Sequence, residues 1–543
     1  MIEAFKENPI LLLFLVAAVG YGIGSVRFRG SSLGVAAVLF VGLGFGALDP
    51  GLHIPDMVVF LGLAIFVYTI GLQSGPGFFS NLKRRGLRDV TFVMFMLILS
   101  ASITLGLHFL LGLDAATTAG LFAGVSTNTP ALAGLLDAIN NSVSPELIKP
   151  LSEKGVVGYS LSYPMGVIGV MMAIQLMSRL LKIDFKEEEE QLRDEYPVNQ
   201  SIQGETVEVV EGAFAQIPIR DLLRQQKWKI VFGRMLRDDQ VVLPNWDTQL
   251  QVGDIVRIVG NEQEVKRVAK EMGRTHSNIF PADDPEYEVR GIYVSNPAVA
   301  GQKLAALNLV EKMPTLPIRI RRGDVDLLAN GGSILELGDR ILFVTRKKDV
   351  PYLVKLFGDS FEALSHINLL SFGLGMALGL LLGMVTFEFP GGFQFQLGFA
   401  GGPLIVALLL GTLRRTGPVV WTLPHSANLT LRQIGLIFLL AGIGINSGHT
   451  FLNTLVSTSG LSIFLAGAVI SLTGALTTLL VGYKFFKIPF SFLLGMVSNQ
   501  PAVLDFALDK SGNKLPTIGF TTMLPVALIT KILFVQLLFA FLS

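Results

Sequence analysis

Long apolar runs fill the first and last thirds of the chain and leave a more polar stretch between them. Several runs reach the roughly 20 residues that an α-helix needs to cross about 30 Å of hydrocarbon. The pattern therefore predicts an α-helical polytopic membrane protein whose membrane part is divided in two. The runs lie near residues 9–26, 33–48, 57–75, 90–112, 115–139 and 156–181, and near 364–386, 395–413, 431–446, 456–482, 490–508 and 516–542.

Charged residues are concentrated where the apolar runs stop. Lys, Arg, Asp and Glu number 19 in residues 1–180, 54 in residues 181–360 and 12 in residues 361–543. Only the middle third is as polar as a soluble protein, in which about 25% of residues are charged. The chain is therefore divided into an N-terminal membrane repeat at 1–182, an acidic linker at 183–199, soluble domains at 200–278 and 286–360, and a C-terminal membrane repeat at 361–543.

Composition narrows the classes of function. The formal net charge is +1, cysteine is absent, and the six histidines are scattered singly. Nucleic-acid binding, disulfides, thiolate metal sites and a histidine-built metal centre are therefore not expected. No nucleophile–base pair, metal cluster or cofactor loop stands out in the sequence, so it predicts neither an enzyme nor a bound cofactor.

The two membrane regions resemble each other in sequence, and glycines dominate the shared motifs. Small residues let helices approach closely. For Gln73 and Ser74, and for Asn446 and Ser447 at the repeated positions, we therefore favour a role in helix–helix packing over a polar role in a binding site. Three blocks recur in the same order. The first, Gly62-Leu63 with Ile70-Gly71-x-x-Ser74-Gly75-x-x-Phe78, recurs 373 residues later as Gly435-Leu436 with Ile443-Gly444-x-x-Ser447-Gly448-x-x-Phe451. The second, Gly124-x-x-x-Asn128-x-Pro130-Ala131, recurs 371 residues later as Gly495-x-x-x-Asn499-x-Pro501-Ala502, and the third, Gly158, Pro164 and Gln175-Leu176, recurs 361 residues later as Gly519, Pro525 and Gln536-Leu537.

Polar residues and a proline interrupt the fifth apolar run of each half. Such breaks are tolerated at membrane depth where they line a cavity or lie within protein, and matching breaks in inverted halves are typical of transporters that bind substrate there. We predict that the breaks form the substrate site, with half-helix N-termini directed at an anionic group, although a packing kink is the alternative. The residues are Ser126, Thr127, Asn128, Thr129 and Pro130 in one half, and Ser498, Asn499, Gln500 and Pro501 in the other.

The arrangement of the halves depends on these broken runs. Basic residues in short loops, such as Arg27 and Arg29, indicate that the N-terminus lies outside. A re-entrant hairpin would leave five crossings in each half, so that the halves are inverted, the soluble insert is cytoplasmic and both termini are outside. A broken span would instead make six crossings and put the insert outside. We predict two inverted repeats, each of five crossing helices and one re-entrant hairpin.

Lys531 lies midway along the last apolar run. A charge at the membrane centre costs about 2.5–3.5 kcal/mol and is a functional candidate by default. We predict that Lys531 binds a substrate carboxylate or pairs with Asp505, which could also accept a proton or a cation. A purely structural pair, or a lysine that reaches the membrane surface, is the alternative.

Each sixth run contains a proline that frees backbone carbonyls. These carbonyls could help to coordinate a coupling cation, and kinked packing is an equal alternative. The neighbouring side chains that could take part are Tyr163, Thr521 and Thr522.

Two similar units follow the linker. In each, a Gly-Asp turn (Gly253-Asp254 and Gly338-Asp339) precedes an alternating strand and an amphipathic helix. No G-x-G-x-x-G motif occurs between residues 181 and 360, so nothing predicts a nucleotide-binding Rossmann domain. The basic run Arg319, Arg321 and Arg322 could attract a small anionic regulatory ligand, although such a run is more often a solvated strand edge.

The two units resemble the regulatory domain called TrkA-C or RCK-C, and the whole chain resembles the aspartate:alanine exchanger family. Local matches include Ile70-Gly71-Leu72-Gln73-Ser74-Gly75, Thr127-Asn128-Thr129-Pro130-Ala131-Leu132 and Pro424-His425-Ser426-Ala427-Asn428-Leu429. The resemblance implies secondary transport of a small anionic or zwitterionic substrate, such as a carboxylate or amino acid. It also implies a homodimer in the lipid bilayer of the bacterial inner membrane, and the hairpins suggest elevator-like alternating access.

Two other functions remain open. TrkA-C domains occur on potassium channels, which makes a gated ion channel or a cation transporter the first alternative, although no Thr-Val-Gly-Tyr-Gly-like filter appears. A membrane ligand sensor is the second, and it would not require two matched breaks. Saturable flux with counterflow would distinguish a carrier from both.

Overall fold

The computed structural model describes residues 2–26, 34–192, 202–277, 280, 286–323, 325–388, 394–498 and 501–543. The chain forms two compact units. The membrane unit contains residues 1–196, 370–413 and 429–543, and the soluble unit contains residues 197–369 and 414–428. The segment 414–428 thus groups with the soluble domains, although its sequence lies inside the predicted C-terminal membrane repeat.

The first part of the membrane unit consists of helices that follow the predicted apolar runs. The fifth run is divided where the polar residues interrupt it. The first half of the predicted acidic linker forms a short helix, α8, and residues 193–201 lie outside the described part. The bounds are α1 Ile2–Glu7, α2 Pro9–Ser25, α3 Ala37–Gly46, α4 Asp56–Leu111, α5 Ala115–Val125, α6 Thr129–Ser142, α7 Pro145–Leu180 and α8 Phe185–Leu192.

Helix α4 differs from the sequence prediction. Both expected spans are present, at Asp56–Pro76 and Val90–Leu111, whereas the basic segment that we expected to be a loop is helical. Lysine, arginine and leucine are good helix formers and favour continuation of the helix, whereas Pro76 and the glycines on either side of it disfavour a helix locally. The helical backbone therefore continues from the third apolar run into the fourth.

The soluble unit contains two antiparallel sheets. The first has the order β3-β2-β4-β1-β5 and the second β6-β9-β7-β8. The strands are β1 Ile202–Val209, β2 Ile230–Arg237, β3 Gln240–Val242, β4 Ile255–Asn261, β5 Gly273–His276, β6 Tyr287–Tyr293, β7 Thr315–Arg322, β8 Val325–Leu328 and β9 Arg340–Arg346; the helices are α9 Ile219–Gln225, α10 Glu262–Met272, α11 Leu309–Lys312, α12 Val350–Phe357 and α13 Phe361–Ser365.

Each lobe has its own apolar core. In the first, alternate residues of β4 such as Val256 and Ile258 pack with one face of α10, where Val265 and Val268 are buried. The second repeats this arrangement with β9 and α12. Val259, Ile318 and Val344 join the two lobes through a smaller cluster.

The C-terminal part of the membrane unit contains the remaining apolar helices. Two short hairpins flank α15: β10–β11 precedes it, and β12–β13, which belongs to the soluble unit, follows it. The bounds are α14 Leu369–Gly383, β10 Thr386–Glu388, β11 Gln394–Gln396, α15 Gly398–Leu413, β12 Arg415–Thr416, β13 Val419–Val420, α16 His425–Leu455, α17 Thr458–Lys484, α18 Phe490–Val497, α19 Pro501–Ser511 and α20 Leu515–Leu542.

Length and composition mark six segments of the described residues as able to cross a membrane. They confirm the prediction of a mostly helical membrane protein with a β-containing insert, while the inversion of the halves stays a prediction. The segments are Asp56–Pro76, Val90–Leu111, Pro145–Leu180, Phe361–Gly383, His425–Leu455 and Thr458–Lys484.

The repeated glycine motifs bring the two halves together. A Cβ on Gly71 of α4 would lie 2.8 Å from the carbonyl oxygen of Leu404 in α15. A Cβ on its counterpart Gly444 in α16 would lie 2.6 Å from the carbonyl oxygen of Leu39 in α3. Each motif therefore packs against the second apolar helix of the opposite half, and glycine permits this close approach.

Candidate functional site

The first hairpin consists of α5 and α6 and the tight turn between them. Asp114 caps the start of α5, because its carboxylate accepts hydrogen bonds from the backbone N–H of Thr117 at 2.9 Å and from its hydroxyl at 2.8 Å. Asn128 caps α6 in the same way: its Oδ1 accepts from the backbone N–H of Ala131 at 2.8 Å. Pro130 occupies the first turn of α6, where the N–H that proline lacks has no helical partner.

Thr127 occupies an unusual position at this turn. Its φ of 46° lies in the left-handed region, which a β-branched residue rarely adopts and which costs about 1–3 kcal/mol. Its hydroxyl oxygen is buried and has no hydrogen-bond partner in the part of the chain that the structure describes. Strain and an unsatisfied hydroxyl together mark Thr127 as a functional candidate.

The other polar groups of the first break are engaged locally. The hydroxyl of Ser126 donates to the carbonyl of Phe122 at 2.8 Å, which ends α5. The hydroxyls of Thr129 and Tyr159 lie 3.0 Å apart and share a hydrogen bond. Tyr163 is buried with its ring 5.4 Å from that of Tyr159, in the interior of the membrane unit beside the hairpin.

The second hairpin consists of α18 and α19. Ser498 ends α18 by donating its hydroxyl to the carbonyl of Leu494 at 2.6 Å. Pro501 begins α19, again at a position that needs no N–H. Asn499 and Gln500 lie outside the described residues, as do the side chains of Pro501, Thr521 and Thr522.

The start of α18 is capped from a distance. The carboxylate of Glu188 in α8 accepts hydrogen bonds from the backbone N–H of Phe490, from the backbone N–H of Ser491 at 2.9 Å and from the Ser491 hydroxyl at 2.5 Å. The ring of Phe185 packs 6.2 Å from that of Phe490. The first hairpin is thus capped by its own Asp114, and the second by the segment that leads to the soluble domains.

A cavity of about 100 Å³ lies between the two hairpins and their neighbouring helices. It is bounded by the second half of α4, the ends of α5 and α18, and faces of α7, α17 and α20. The cavity brings Ser126 and Lys531 together, two residues that the sequence selected independently. The polar lining residues are Ser100, Ser126, Ser471, Thr478 and Lys531; the apolar ones are Phe92, Val93, Met96, Leu97, Val125, Val170, Ile470, Gly474, Ala475, Met496, Val497, Met523 and Ala527.

Lys531 is only 4% exposed. Its neighbour in the chain, Thr530, donates a hydrogen bond to the sulfur of Met94 at 3.2 Å, which holds α20 against α4. Asp505 is exposed on α19, and its pairing with Lys531 stays a prediction. Of the two roles predicted for Lys531, contact with a ligand in the cavity matches its location.

Sequence reasoning missed several residues in this region. Ser471 lines the cavity with a buried hydroxyl to which no described residue makes a hydrogen bond. Asp137 in α6 is only 1% exposed and faces Gly398 at the start of α15, where the backbone N–H of Phe399 and the amide of Asn141 donate to its carboxylate. An acidic residue inside an apolar run is a signal that could have identified Asp137.

The twin motifs also have a polar role between helices. The side chain of Asn446 in α16 accepts from the backbone N–H of Ile54 at 2.8 Å and donates to its carbonyl at 2.9 Å. At the equivalent position of α4, Gln73 accepts from Arg432 of α16 at 3.0 Å. Both contacts join one half to the other, so these residues hold the halves together outside the cavity.

The basic run in the second lobe is largely neutralised. Arg322 donates to Asp339 at 2.7 Å and to Glu336 at 2.7 Å, and Arg319 lies 3.3 Å from Asp326. The first lobe repeats the arrangement with Arg237 and Asp254, and this hydrogen bond raises the pKa of Arg237. The aspartates of the two Gly-Asp turns are therefore structural partners of a strand-terminal arginine.

The segment 414–428 adds a further contact to the second lobe. The guanidinium of Arg415 donates to the carbonyls of Ala298 at 2.8 Å and Ala300 at 3.0 Å, and Arg414 lies 3.3 Å from Glu336. The β12–β13 hairpin is therefore anchored to the second lobe inside the soluble unit.

Comparison with known proteins extends over nearly the whole chain. A family model described as a predicted permease membrane region, of the Asp-Al exchanger type, matches residues 12–179 and 371–540. A TrkA-C domain model matches residues 205–273 and 291–358. An uncharacterized transporter of Geobacter sulfurreducens is 49% identical, with 99% of each chain covered. Uncharacterized transporters of Symbiobacterium thermophilum and Corynebacterium diphtheriae are 42% and 40% identical, with 100% and 98% of each chain covered.

Proposed function

The chain belongs to the aspartate:alanine exchanger family of membrane permeases that carry two TrkA-C domains, and from that membership we propose that it is a secondary active transporter of small carboxylates or amino acids. The observation that carries the proposal is the cavity in which Ser126, at the end of the first hairpin's leading helix, and Lys531 line one space. The relatives are named transporters, which agrees with this class of function.

The chemistry of the cavity suits an anionic group. The ammonium of Lys531 attracts a carboxylate strongly because the surroundings are apolar and the effective dielectric constant is low. The hydroxyl of Ser471 has no partner among the described residues and can donate to the same carboxylate. Helix α6 begins beside Ser126, so the positive end of its dipole adds to the attraction.

Transport requires access to this cavity from each side in turn. In the proposed mechanism the two hairpins act as gates of inverted halves and the substrate-binding part moves in an elevator-like manner. The protein works in the bacterial inner membrane as a homodimer with its TrkA-C domains in the cytoplasm, where they respond to a small ligand. These features rest on the matched breaks and on membership of the family.

Counterflow in proteoliposomes tests the proposal. Vesicles loaded with unlabelled aspartate, alanine or succinate receive the same compound in labelled form outside. A carrier accumulates label transiently, in an amount that depends on the internal solute, whereas a pore equilibrates it and a sensor admits none.

The matched variants are Lys531→Met and Lys484→Met. Lys484 is exposed at the end of α17 and does not line the cavity, so its variant controls for loss of a lysine. We expect counterflow to disappear with Lys531→Met and to persist with Lys484→Met. Equal counterflow by both variants would remove Lys531 from the mechanism, and absence of counterflow for every small carboxylate and amino acid would contradict the transporter proposal.

A further inference from the structure

We propose that the carboxyl group of Asp137 binds a proton that crosses the membrane together with the substrate. The inference rests on the proposed function, to which it adds a coupling ion, and it leaves the class of substrate unchanged. Three observations carry it: the burial of this carboxyl group, the lack of a cation beside it, and its location on a helix that begins at the cavity.

The side chain of Asp137 is enclosed by protein, since the residue is only 1% exposed. Its Oδ1 accepts a hydrogen bond from the amide of Asn141 at 3.2 Å, and the backbone N–H of Phe399 also donates to the carboxyl group. Its Oδ2 lies against the backbone of Gly398, and no described residue donates a hydrogen bond to it under strict geometry. The surroundings therefore satisfy an ionised carboxylate only in part.

The helices that pack around α6 bring no cation to this group. They are α5, α7, α15, α20 and a short part of α4, and α14 also lies against Gly398. Helices α5, α14 and α15 contain no ionisable side chain. Lys531 of α20 lines the cavity, and His108 of α4 shares a hydrogen bond with Thr118 at 2.9 Å. The side chain of Glu388, in the hairpin before α15, lies outside the described part.

The ionisable side chains of α7 near Asp137 are directed elsewhere. A Cβ on Gly155 would lie 2.9 Å from the side chain of Leu135, which places the first turns of α7 beside this part of α6. There Lys154 lies 3.7 Å from Asp114, and Glu153 accepts a hydrogen bond from Thr450 of α16. Glu146 and Lys149 are exposed. Among the described residues, none forms an ion pair with Asp137.

A proton resolves this imbalance of charge. A buried carboxylate without a cation is costly because it has lost the water that solvates its charge. Water on one side of the membrane supplies the proton that forms the O–H bond on Asp137, and water on the other side accepts the proton when that bond breaks. A metal cation fits less well, because hard cations bind several oxygens at once and two N–H groups already occupy this carboxyl group.

The same helices connect Asp137 with the cavity. Helix α6 begins at Thr129 beside the cavity, and Asp137 lies eight residues later, about 12 Å along the helix. Helix α20 carries Lys531 and, one turn later, Gln536, whose amide donates to the carbonyl of Gly134 at 3.3 Å. Movement of the first hairpin would therefore carry the cavity wall and Asp137 together, which predicts that substrate and proton cross in the same direction.

The pH dependence of counterflow tests the inference on the full-length protein. Vesicles contain the same compound inside and outside, chosen from aspartate, alanine and succinate as the one that the wild type exchanges fastest, and both sides have equal pH. If the loaded carrier crosses only with Asp137 protonated, the rate falls as pH rises, by about tenfold for each pH unit once the group is mostly ionised. We expect at least about a tenfold fall between about pH 6 and about pH 9.

Asp137→Asn keeps the shape of the side chain and is always neutral. We expect this variant to retain counterflow at high pH, with a change of less than about twofold over the same range. Glu146→Gln is the control, because Glu146 is an exposed acidic residue at the start of α7, and its pH profile should match the wild type. A fall with pH in Asp137→Asn equal to that of the wild type would overturn the inference.

Proton uptake on binding gives a reading that does not depend on transport. The same compound is added to purified protein in unbuffered detergent solution near neutral pH, and an indicator dye follows the pH. We expect the wild type and Glu146→Gln to take up protons and Asp137→Asn to take up none, while thermal unfolding confirms that each variant is folded. Equal uptake by Asp137→Asn would assign the proton to another group and overturn the inference.

The wild type alone can also overturn the inference, whether or not Asp137→Asn folds. Counterflow that is constant with pH, or binding without proton uptake, would remove the coupled proton and leave the transporter proposal intact. Absence of counterflow with every compound and at every pH would contradict the transporter proposal, and the inference would fail with it.

Discussion

Gly62 and Gly435 face each other across the two halves of the membrane unit. A Cβ on Gly62 would lie 2.7 Å from the carbonyl oxygen of Gly435, and a Cβ on Gly435 would lie 2.7 Å from that of Gly62. The next neighbours are also equivalent, since Gly62 meets the backbone nitrogen of Leu439 and Gly435 that of Phe66, both at 2.8 Å. Such a reciprocal contact between repeat-related residues is what a two-fold axis through the crossing of α4 and α16 would produce.

The close approach of α4 and α16 at this crossing predicts that a methyl group added at Gly62 lowers the stability of the protein. Gly62→Ala forces α4 and α16 apart, because its Cβ meets backbone atoms that cannot rotate away, and we expect a loss of about 1–3 kcal/mol in stability. Gly106→Ala in the same helix is the control, since its Cβ meets nothing within 4 Å. Thermal unfolding in detergent should show a lower Tm for the first variant only. An equal Tm for both would mean that the helices do not cross at Gly62.

Gly398 is predicted to be irreplaceable because of Asp137. A Cβ at Gly398 would overlap the carboxylate of Asp137, and its φ of 62° is itself unfavourable for other residues. Gly417 has a φ of 57° with nothing within 4 Å of a Cβ, so Gly417→Ala measures the backbone strain alone, about 1–2 kcal/mol. Gly398→Ala should lower the Tm clearly more than Gly417→Ala does. Similar shifts would show that Asp137 does not lie against Gly398.

Glu188 is predicted to stabilise the second hairpin from outside it. Glu188→Ala leaves the N–H groups of Phe490 and Ser491 without their acceptor, and we expect a loss of about 1–3 kcal/mol. The matched variant is Glu187→Ala, because the Glu187 carboxylate accepts a hydrogen bond from Gln191 on its own helix and, among the described residues, does not cap α18. A cysteine introduced at Ser498 should become more reactive to alkylation in the Glu188 variant. Unchanged reactivity and Tm would mean that the cap does not hold the hairpin.

Asn128 is predicted to serve both structure and transport. Asn128→Ala removes the cap of α6, which costs about 0.5–2 kcal/mol, and should abolish uptake. Asn261→Ala removes an equivalent cap from α10 in the soluble unit and should cost similar stability without loss of uptake. Asn128→Ser restores a capping oxygen and separates the two roles. Normal uptake by Asn128→Ala would exclude the residue from the site; Asn499→Ala is expected to abolish uptake as well.

The sidedness of the insert can be measured directly because the chain has no cysteine. Asp247 in the first lobe is an exposed position, with 77% of its side chain accessible. We expect Asp247→Cys to be protected from an impermeant thiol reagent applied to intact cells and labelled after permeabilisation. Labelling in intact cells would contradict the model of five crossings in each half and the cytoplasmic location of the TrkA-C domains.

The amino-acid sequence by itself determined the local features of this protein. Apolar runs specify helices, and polar residues with proline specify where α5 ends and α6 begins, because these effects act within one or two helical turns. The burial of Lys531 inside a run of apolar residues was visible in the same way. The repeated motifs also identified the family.

Only the tertiary structure decided which distant groups meet. Neither local pattern nor repeat spacing reveals that Lys531 shares a cavity with Ser126 and Ser471, that Glu188 caps α18, or that Arg415 binds the second lobe. Each of these contacts joins residues that are far apart in the chain. Such contacts depend on how the helices pack against one another and not on the hydrogen bonds within one helix. Ser471 illustrates the reason: its own apolar helix gives no sign of a binding role, and only the packing of α17 against its neighbours places its hydroxyl at the cavity.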